Sequence, residues 1–429
     1  MANINNNMEP IATPYEYVGD IPALGSLQLT KLAQSYEQLE SQGLEDFFPI
    51  QTNPERTILV ETVREGLGIM PIVEMGKPAG SFLEPARVER RYFQPALVRE
   101  DDFIDQGLIN QLREVGTFNT ATAPNVIVER RVQQLVSRHN RTVQFFQAQV
   151  LQGGINYTDP RTNVAINVST NIPPHNFFRY DGWDATVAAD APIGTTGYSA
   201  YKSLSNNKGR KEALLFTSRD QKAGVSWANP QADIVRCLRI IKQYLNNTNK
   251  NLYTDLVMSR DLYTVIQENE LVQAMMGSVG VVTAGAPTSG RITPPTVKFS
   301  AGGDLDEIAG LKIRLIDTLF RDPRNGKIDK LWPSNTVALV AARHYSDSSA
   351  TLGFTQKCVA EAPNGQPGMW MRTGPDQMPP AVPGRAMQMG DAFLPYAMYP
   401  QWICLMTVAE TSEIDENLIL RSDLSFGTF

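Results

Sequence analysis

The fold is decided by three consecutive stretches, RTILVETVREGLGIMPIVEM (residues 56–75), GKPAG (76–80) and SFLEPARVERRYFQPALVRE (81–100). Two extended runs joined by a turn rich in Gly and Pro predict a long two-stranded hairpin. Pro85 and Pro95 interrupt the return strand, and proline is tolerated only at sheet edges or bulges. Because an isolated two-stranded ribbon is marginally stable in water, this hairpin needs a surface to lie on. That surface is either its own domain or another molecule.

Charged residues are interleaved with apolar ones along the hairpin. They are Glu61, Arg64, Glu65, Glu74, Glu84, Arg87, Glu89, Arg90, Arg91 and Arg99. Opposite charges at fixed positions set the register of a contact and reject wrong pairings more than they add affinity. This pattern is typical of a recognition surface.

Residues 1–55, which precede the hairpin, combine Asn and Pro with scattered apolar residues. One helix is predicted around Leu27 to Leu44, without an apolar stripe strong enough for a separate domain. We therefore expect an arm that docks elsewhere. If extended, such an arm would reach on the order of 150 Å.

The clearest helix is predicted at residues 124–152. Apolar residues recur at helical spacing from Val128 to Val150, Pro124 suits the first turn, and Gly153 and Gly154 end the helix. The helix carries Arg130, Arg131, Arg138 and Arg141. The planar guanidinium group suits carboxylates of a neighbouring subunit, although an ordinary solvated helix face explains any single arginine equally well.

Residues 155–229 are rich in Asn, Thr, Gly and Pro and predict hairpins and loops that form an inserted surface element. A second helix is predicted to begin at Pro230, with Cys237 on its apolar stripe. A strand at 252–258 then leads through Ser259, as the N-cap, into a helix that reaches about Met276.

The last part of the chain is predicted to be mostly extended. Residues 277–303 have the composition of a mobile loop. Strands are predicted at Leu311–Ile316 and Thr336–Ala341, flanking a hairpin turn at Asn325-Gly326. From residue 356 onward, Pro, Gly and Met interrupt extended runs, and this methionine density suits adaptable packing in a core or at a contact surface.

Composition and motifs argue for a structural rather than a catalytic protein. The 429 residues suffice for two or three domains, and the net charge of -6 excludes a basic protein that grips DNA through counterion release. The three cysteines and three histidines form no metal-binding spacing, and no nucleophile elbow or phosphate-binding loop occurs. We therefore predict no cofactor, no metal and no catalytic residue, and neither a signal peptide nor a membrane span.

Taken in order, these stretches resemble the major capsid protein of tailed double-stranded-DNA bacteriophages, in the lambda-type (protein E) branch of the Hong Kong 97 fold. The hairpin from Ile58 to Val98 resembles the E-loop of that family, and the Arg-bearing helix 124–152 resembles its spine helix. LYTDLVMSRDLYTVIQENELVQAMM (252–276) is similar to the strand, turn and helix of its axial domain. LWPSNTVALVAARH (331–344) resembles a strand of the family, and AMYPQWICLMTVAETSEIDENLIL (397–420) resembles the closing strands of its peripheral domain.

The resemblance implies an α+β, Hong Kong 97-like capsid fold with an N-terminal arm, an extended E-loop hairpin, a spine helix, a peripheral domain and an axial domain. The expected division is 1–55 for the arm, 56–100 for the E-loop, 101–229 for the peripheral domain with spine helix 124–152 and an inserted loop-rich region, 230–355 for the axial domain, and 356–429 for the C-terminal strands of the peripheral domain.

The function implied by the resemblance is that of a structural protein of the virion. It would self-assemble into hexamers and pentamers of an icosahedral head that encloses double-stranded DNA without specific binding. Its implied partners are other copies of itself, a separately encoded scaffolding protein, a portal and a decoration or cement protein, with assembly in the host cytoplasm and no membrane. The alternatives are a shell of the same fold that holds protein cargo, and a cytosolic enzyme of unfamiliar type.

The same resemblance places inter-subunit contacts on the hairpin. The candidate residues are Lys77, Glu84, Arg87, Glu89, Arg90, Arg91 and Arg99. Some relatives join an E-loop lysine to a neighbour's asparagine, and Lys77 is the only lysine in the hairpin. Lambda-type relatives lack this cross-link, so its formation here is not expected.

Overall fold

The computed structural model describes residues 29–31, 33–34, 44–64, 87–105, 124–180, 216, 218, 225–249, 252–279, 297–299, 305–321, 328–341, 351–359, 365–377 and 384–414. The helices in these ranges are α1 (Pro124–Leu151), α2 (Ile234–Asn249), α3 (Arg260–Gln267) and α4 (Glu270–Val279). The strands are β1 (Ile50–Asn53), β2 (Ile58–Arg64), β3 (Arg87–Phe93), β4 (Ala96–Asp105), β5 (Gly154–Thr158), β6 (Ala165–Ser169), β7 (Phe177–Arg179), β8 (Asp255–Ser259), β9 (Val297–Phe299), β10 (Leu305–Ile308), β11 (Leu311–Ile316), β12 (Leu319–Arg321), β13 (Ile328–Lys330), β14 (Thr336–Val340), β15 (Gly353–Cys358), β16 (Trp370–Gln377), β17 (Gly384–Ala397) and β18 (Ile403–Thr407).

The first sheet is built around the long strand β17. One edge of β17 pairs antiparallel with β4, from Gly384 opposite Asp105 to Phe393 opposite Ala96. Its other edge pairs first with β16 and then with β15, both antiparallel. Strand β1 adds to β15 in parallel. This order brings the beginning and the end of the chain into one sheet.

The second sheet has seven strands in the order β7-β18-β14-β8-β11-β10-β9. All five residues of β8 are buried, because helices and neighbouring strands cover it on both faces. Strand β8 pairs in parallel with β11 and antiparallel with β14. The strands predicted at 311–316 and 336–341 are therefore confirmed, but they flank β8 and do not pair with each other.

A short hairpin follows the second sheet's strand β11. Strands β12 and β13 pair antiparallel, from Leu319 opposite Lys330 to Arg321 opposite Ile328. The predicted Asn325-Gly326 turn lies outside the described residues, but the two strands on either side of it pair as a hairpin requires. A hairpin is therefore present around the predicted turn, but its strands are β12 and β13 and not the two strands that were predicted to flank it.

Helix α1 lies across the first sheet and confirms the predicted helix, with its last residue at Leu151. Gly153 follows with a φ of 114°, a left-handed conformation that favours glycine after a helix end. The buried side chains of its N-terminal half, including Val132 and Val136, form a cluster with four methionines of β16, β17 and the turn before β16: Met369, Met371, Met387 and Met389. The methionine-rich segment thus serves a core.

Two predicted helices differ in their bounds. Helix α2 begins at Ile234 and not at Pro230, because Asp233 accepts the Arg236 backbone N–H at 3.1 Å and acts as the cap. The helix predicted after Ser259 is two helices. Ser259 caps α3 as predicted, and Asn269 then starts α4 by accepting the backbone N–H groups of Leu271 and Val272.

The expectation that the arm docks on another molecule is wrong for the part of the arm that is described. Residues 29–31, 33 and 34, which we call the arm segment, are helical and lie on the subunit's own first sheet. Thr30 Oγ1 donates to Met371 O at 3.2 Å and accepts from Met371 N at 3.0 Å. Gln34 Nε2 donates to Met369 O at 3.1 Å. These bonds satisfy the exposed edge of β16, which explains why the segment docks here.

The sheets also cross the expected domain boundaries. Strand β15 begins within residues 230–355 yet belongs to the first sheet, whereas β7 and β18 join the second sheet with β8 and β14. A further link is made by Arg314 of β11, which pairs with Asp46 at 2.8 Å and with Asp255 at 3.0 Å. The proposed division into named domains remains a prediction.

All three cysteines are buried thiols, as predicted for Cys237. Burial raises the pKa of the Cys237 thiol far above its ordinary value. Burial, together with the charge of Asp391, raises the pKa of Cys358 to about 11. Both thiols are therefore protonated at neutral pH and behave as small apolar side chains.

Gly353→Ala is expected to destabilise the subunit. A Cβ at this position would lie 2.0 Å from Tyr396 O on the paired strand, so β15 and β17 would have to separate. Overpacking of this kind costs about 1–3 kcal/mol, and we expect a lower midpoint of urea unfolding. Gly365→Asn is the control, because no atom lies within 4 Å of a Cβ there and Asn tolerates the φ of 63°. An unchanged midpoint for Gly353→Ala would contradict the strand pairing described here.

Thr30→Val is expected to release the arm segment. The substitution keeps the side-chain shape but leaves the Met371 N–H and C=O without their partner, at a cost of about 1–3 kcal/mol for a buried unsatisfied group. Hydrogen exchange of the Met371 amide is the measurement, and we expect it to accelerate. Lys31→Ala is the matched control, since Lys31 is exposed on the same segment. Equal exchange in both variants would show that the segment does not dock on β16.

Candidate inter-subunit contact surface

The predicted hairpin is present as the ribbon formed by β2 and β3. Their register runs from Ile58 opposite Phe93 to Arg64 opposite Arg87, and it places Glu61 opposite Arg90. Opposite charges at facing positions stabilise a two-stranded pair. The predicted strands are thus confirmed, and their register gives Glu61 and Arg90 opposite positions in the ribbon.

The structure places the seven candidate residues unevenly. Lys77 and Glu84 lie outside the described residues. Arg87 and Glu89 are positions of β3, with Arg87 opposite Arg64 and Glu89 opposite Thr62. Arg90, Arg91 and Arg99 are described with their side chains, the first and last exposed and Arg91 half-buried.

One face of the ribbon base lies on the subunit's own body. Ile58 and Val60 are buried there, and Arg91 follows on the same face because side chains alternate along a strand. A shallow cleft lies between the ribbon and the body, lined by Val60, Arg91, Phe93, Val150, Val168, Ser169, Thr170, Asn171, Tyr396 and Ala397. The alternative that the hairpin rests on its own domain is therefore confirmed for its base.

The opposite face of the ribbon base is exposed. Tyr92 is 74% exposed and Arg90 is exposed beside it, two positions away on the same face. A large aromatic side chain left in water beside a cation is typical of interface anchors, where Tyr and Arg are enriched. Arg90 and Tyr92 thus form the part of the candidate surface that the structure presents outward.

Arg99 lies on β4 next to carboxylates that form ion pairs or hydrogen bonds within the subunit. Glu100 forms an ion pair with Arg138 of α1, and Asp101 accepts from Gln388 Nε2 at 2.7 Å. The Arg138 guanidinium group is therefore paired within its own subunit, whereas the sequence left open whether it contacts a neighbouring subunit or solvent. Arg130 and Arg141 are exposed on α1 and Arg131 is half-buried.

A buried cluster of polar side chains lies between α1 and the first sheet, and sequence reasoning missed it. Lys357 Nζ lies 3.2 Å from Asp391 Oδ2, and His139 Nε2 lies 3.0 Å from the same oxygen. The three side chains are 4%, 0% and 1% exposed, respectively. The His139 ring meets Phe393 edge-on, with centroids 5.5 Å apart. We call these three residues the buried triad.

The ionisation of Asp391 is decided by its two neighbours. Burial would raise the pKa of this carboxyl group, but the charge of Lys357, followed by the hydrogen bonding and charge of His139, outweighs burial, and the pKa of Asp391 is lowered. Asp391 Oδ1 has no hydrogen-bond partner among the described residues. A buried, ionised carboxylate therefore contacts both Lys357 and His139 through one oxygen.

No sequence spacing predicts the triad, because His139 precedes the other two members by more than two hundred residues and the three come from a helix and two strands. The available signal was weaker: Asp391 stands in a mostly apolar extended run, where a charge is costly. In the described residues no group of three His, Cys, Asp or Glu side chains is placed to hold a metal ion. None of the described helices is long and apolar enough to span a membrane.

Comparison with known proteins gives a family match for part of the chain and a fold for most of it. Residues 27–202 match the family of phage major capsid protein E. No curated protein matches the chain. The putative capsid protein of a prophage of E. coli CFT073 has a similar structure, with a TM-score of 0.51 and 9% identity over 90% of this chain and 99% of that chain.

Two further solved structures are similar at lower scores. A phage-related protein from Bordetella bronchiseptica RB50 has a TM-score of 0.49 and 10% identity over 89% of this chain and 96% of that chain. The capsid protein of cyanophage P-SCSP1u has a TM-score of 0.44 and 11% identity, over 86% of this chain and 89% of that chain. At such low identities structural similarity concerns the fold, and we rest the fold on the prophage protein alone.

The predicted α+β, Hong Kong 97-like capsid fold is confirmed by that structural similarity. The family match covers the ribbon and α1, the two elements on which the sequence-based resemblance chiefly rested. Together, these comparisons show that residues 27–202 are similar to the family of phage major capsid protein E, and that the chain shares the fold of a prophage capsid protein over most of its length.

Proposed function

We propose that this protein is the building block of an icosahedral phage head, in which hexamers and pentamers enclose double-stranded DNA. The single observation that carries the proposal is the ribbon of β2 and β3. Its base is anchored on the subunit, while its outer face presents Arg90 and a Tyr92 that is 74% exposed. Such a surface is complete only when another molecule covers it, and many copies of one chain supply that molecule by symmetry.

The partners follow from this role. The principal partner is another copy of the chain. A scaffolding protein, a portal and a decoration protein complete the proposed assembly, which forms in the host cytoplasm and ends in the virion. Packaged DNA is enclosed without specific binding, because a chain with a net charge of -6 would not hold DNA tightly through counterion release.

The contact residues proposed on the ribbon differ in how much they are expected to contribute to contacts between subunits. Arg90 faces outward with Tyr92 and is the first candidate. Arg91 lies between these two residues and belongs to the face that rests on the body at the ribbon base, whereas Glu89 is known only as a position of β3, opposite Thr62. Reversing the charges of Glu89, Arg90 and Arg91 together would therefore not separate assembly from subunit stability, because Arg91 also lines the cleft against the subunit itself.

Particle imaging tests the function. Purified full-length protein, expressed with and without the scaffolding protein of its own phage, is viewed by negative-stain electron microscopy. We expect large closed particles or free hexamers and pentamers. Small closed particles that contain protein would favour the cargo shell, and a small discrete oligomer at high concentration would favour an enzyme. Either of these results would contradict the proposed phage head.

A charge swap in the ribbon separates recognition from ribbon stability. Glu61 and Arg90 face each other, so Glu61→Arg combined with Arg90→Glu keeps an opposite pair across the ribbon but reverses the charge that Arg90 presents outward. We expect the double variant to unfold at the wild-type urea concentration and to assemble at least tenfold less well. Exposed single ion pairs contribute only about 0.2–1 kcal/mol, but each is repeated in every copy of a shell.

The matched control for the swap is Arg161→Glu, which reverses an exposed charge in the β5–β6 turn. It is expected to assemble normally, as judged by sedimentation and electron microscopy. Normal particles from the Glu61→Arg, Arg90→Glu variant would show that these charges serve the ribbon alone and would remove Arg90 from the proposed interface.

Covalent joining of subunits through Lys77 is not expected. Denaturing gels of purified particles should show only bands of monomer size, and Lys77→Arg particles should run identically. A ladder of higher bands in the wild type that disappears in Lys77→Arg would contradict this prediction and would assign an inter-subunit cross-link to the hairpin turn.

A further inference from the structure

We propose that Lys357 and Asp391 of the buried triad become joined by an amide bond within the folded subunit, with His139 as the group that moves the proton. The product is an intramolecular isopeptide bond between two neighbouring strands of the first sheet. It needs no second subunit and is therefore independent of the proposed assembly. The inference stands on geometry, on exclusion of water and on the chemistry of the three side chains.

The strand register brings the reacting groups together. Lys357 of β15 lies opposite Phe393 of β17, and Asp391 is two positions from Phe393. Residues two apart on a strand share a face, so Lys357 and Asp391 are diagonal neighbours on the face that α1 covers. Lys357 Nζ lies 3.2 Å from Asp391 Oδ2, so the amine is in direct contact with the carboxyl group whose Cγ it would attack. Reacting groups held in such geometry behave as if present at effective concentrations on the order of 10⁵ M or more.

The surroundings favour the amide over the ion pair. Lys357 and Asp391 are almost fully inaccessible to water, and Phe393 and Cys358 are buried beside them. Removing two ions from water costs several kcal/mol for each ion, and their attraction repays this cost only with complete hydrogen bonding. Asp391 Oδ1 lacks such a partner. An amide carries no charge, so its formation removes both desolvation costs and releases one water molecule.

The atoms and electrons balance without an added reagent. One proton passes from Lys357 Nζ to the Asp391 carboxylate and gives a neutral amine and a neutral acid. The Nζ lone pair then attacks Asp391 Cγ and forms the new N–C bond. His139 Nε2, 3.0 Å from the carboxyl oxygen, takes the second Nζ proton and delivers it to the departing hydroxyl group. The C–O bond breaks and water leaves, with no oxidant, reductant or cofactor consumed.

The lowered pKa of Asp391 determines the expected rate. It keeps the pair mostly ionised, so the neutral amine and acid form a minor state. The reaction is then slow compared with folding, but the folded core keeps the groups in contact for the lifetime of the protein. Hydrolysis of the product would require water at a site that excludes it, so the bond accumulates.

Mass spectrometry of the full-length chain tests the proposal directly. The purified protein is aged at neutral pH, denatured and measured intact, with allowance for removal of Met1. We expect a mass lower than that of the sequence by one water molecule. Lys357→Met removes the nucleophile and keeps an unbranched apolar chain, so its mass should equal that of its sequence.

Peptide mapping excludes the other route to the same mass. Asp181-Gly182 can lose water by forming a succinimide within its own peptide. Trypsin should instead yield residues 344–372, uncleaved at Lys357, joined to residues 386–421. A linked pair with fragment ions on both sides of the Lys357–Asp391 bond supports the proposal. Full sequence mass in the aged wild type, or water loss mapped to residue 181, would overturn it.

The role of His139 has its own readout. His139→Gln keeps a polar side chain of similar size but cannot carry a proton between Nζ and the leaving oxygen. We expect the rate at which the lighter species appears to fall at least tenfold. Cross-linking at the wild-type rate in His139→Gln would remove the histidine from the mechanism. Because the readout is the mass of a single chain, it is independent of whether particles form.

Discussion

The structure depends on the pairing of β17 along both of its edges. β4 occupies one edge for ten residue pairs, and β16 and β15 share the other. Because only Pro95 and one other residue separate β3 from β4, the direction of the ribbon is fixed by the direction of β17. The arm segment reaches the same sheet through the edge of β16, and α1 covers its face. The elements that would extend toward neighbouring subunits are thus oriented by one strand.

That dependence places strict requirements on a few residues of β17. Gly390 faces Trp370 of β16, and a Cβ at residue 390 would lie 2.5 Å from the indole ring. Glycine is therefore required by the aromatic side chain on the paired strand. The next residue, Asp391, is turned toward α1 because side chains alternate across the sheet. Two consecutive residues of β17 are thus constrained differently. Residue 390 must lack a side chain on one face of the sheet, and Asp391 places a buried charge on the other face.

The sequence predicted local elements better than it predicted where they dock. The strands of the ribbon, the helix from Pro124 and the N-cap at Ser259 each have a signal within a few residues, and each is confirmed. The Asn269 break between α3 and α4 was missed, although Asn is a strong cap, because the apolar periodicity continues through it. The arm segment was expected to dock elsewhere because its partner, the backbone of Met371, lies 341 residues away. Backbone N–H and C=O groups are common to nearly all residues, so the sequence pattern could not have predicted which of them Thr30 contacts.

Charge distribution separates the body of the subunit from its candidate contact surface. On the body, acidic residues are matched within the chain, as Glu100 is with Arg138 and Asp101 with Gln388. On the ribbon, a cation and a large aromatic ring are presented outward. A shell assembled from many copies needs contacts of modest free energy, because very strong single contacts would trap errors before they are corrected. Exposed charges suit this need, since they discriminate between partners while contributing little affinity each.

The buried triad fixes the position of α1 along the first sheet, which the methionine-rich core does not do by itself. α1 packs on Met387 and Met389 through Val132 and Val136, and unbranched methionine side chains adapt readily to a helix that slides or rotates. Apolar burial alone therefore holds α1 on the sheet without fixing its position along it. The His139 to Asp391 contact of 3.0 Å is lost after a shift of one residue, which moves the ring by about 1.5 Å along the helix axis and 100° around it. Asp391 would then keep Lys357 but lose the other of its two buried partners, at a cost of about 1–3 kcal/mol, so a register shift is penalised more strongly than by adaptable apolar contacts alone. Specific placement of the helix thus comes from the polar contact, and adhesion comes from the apolar surface around it.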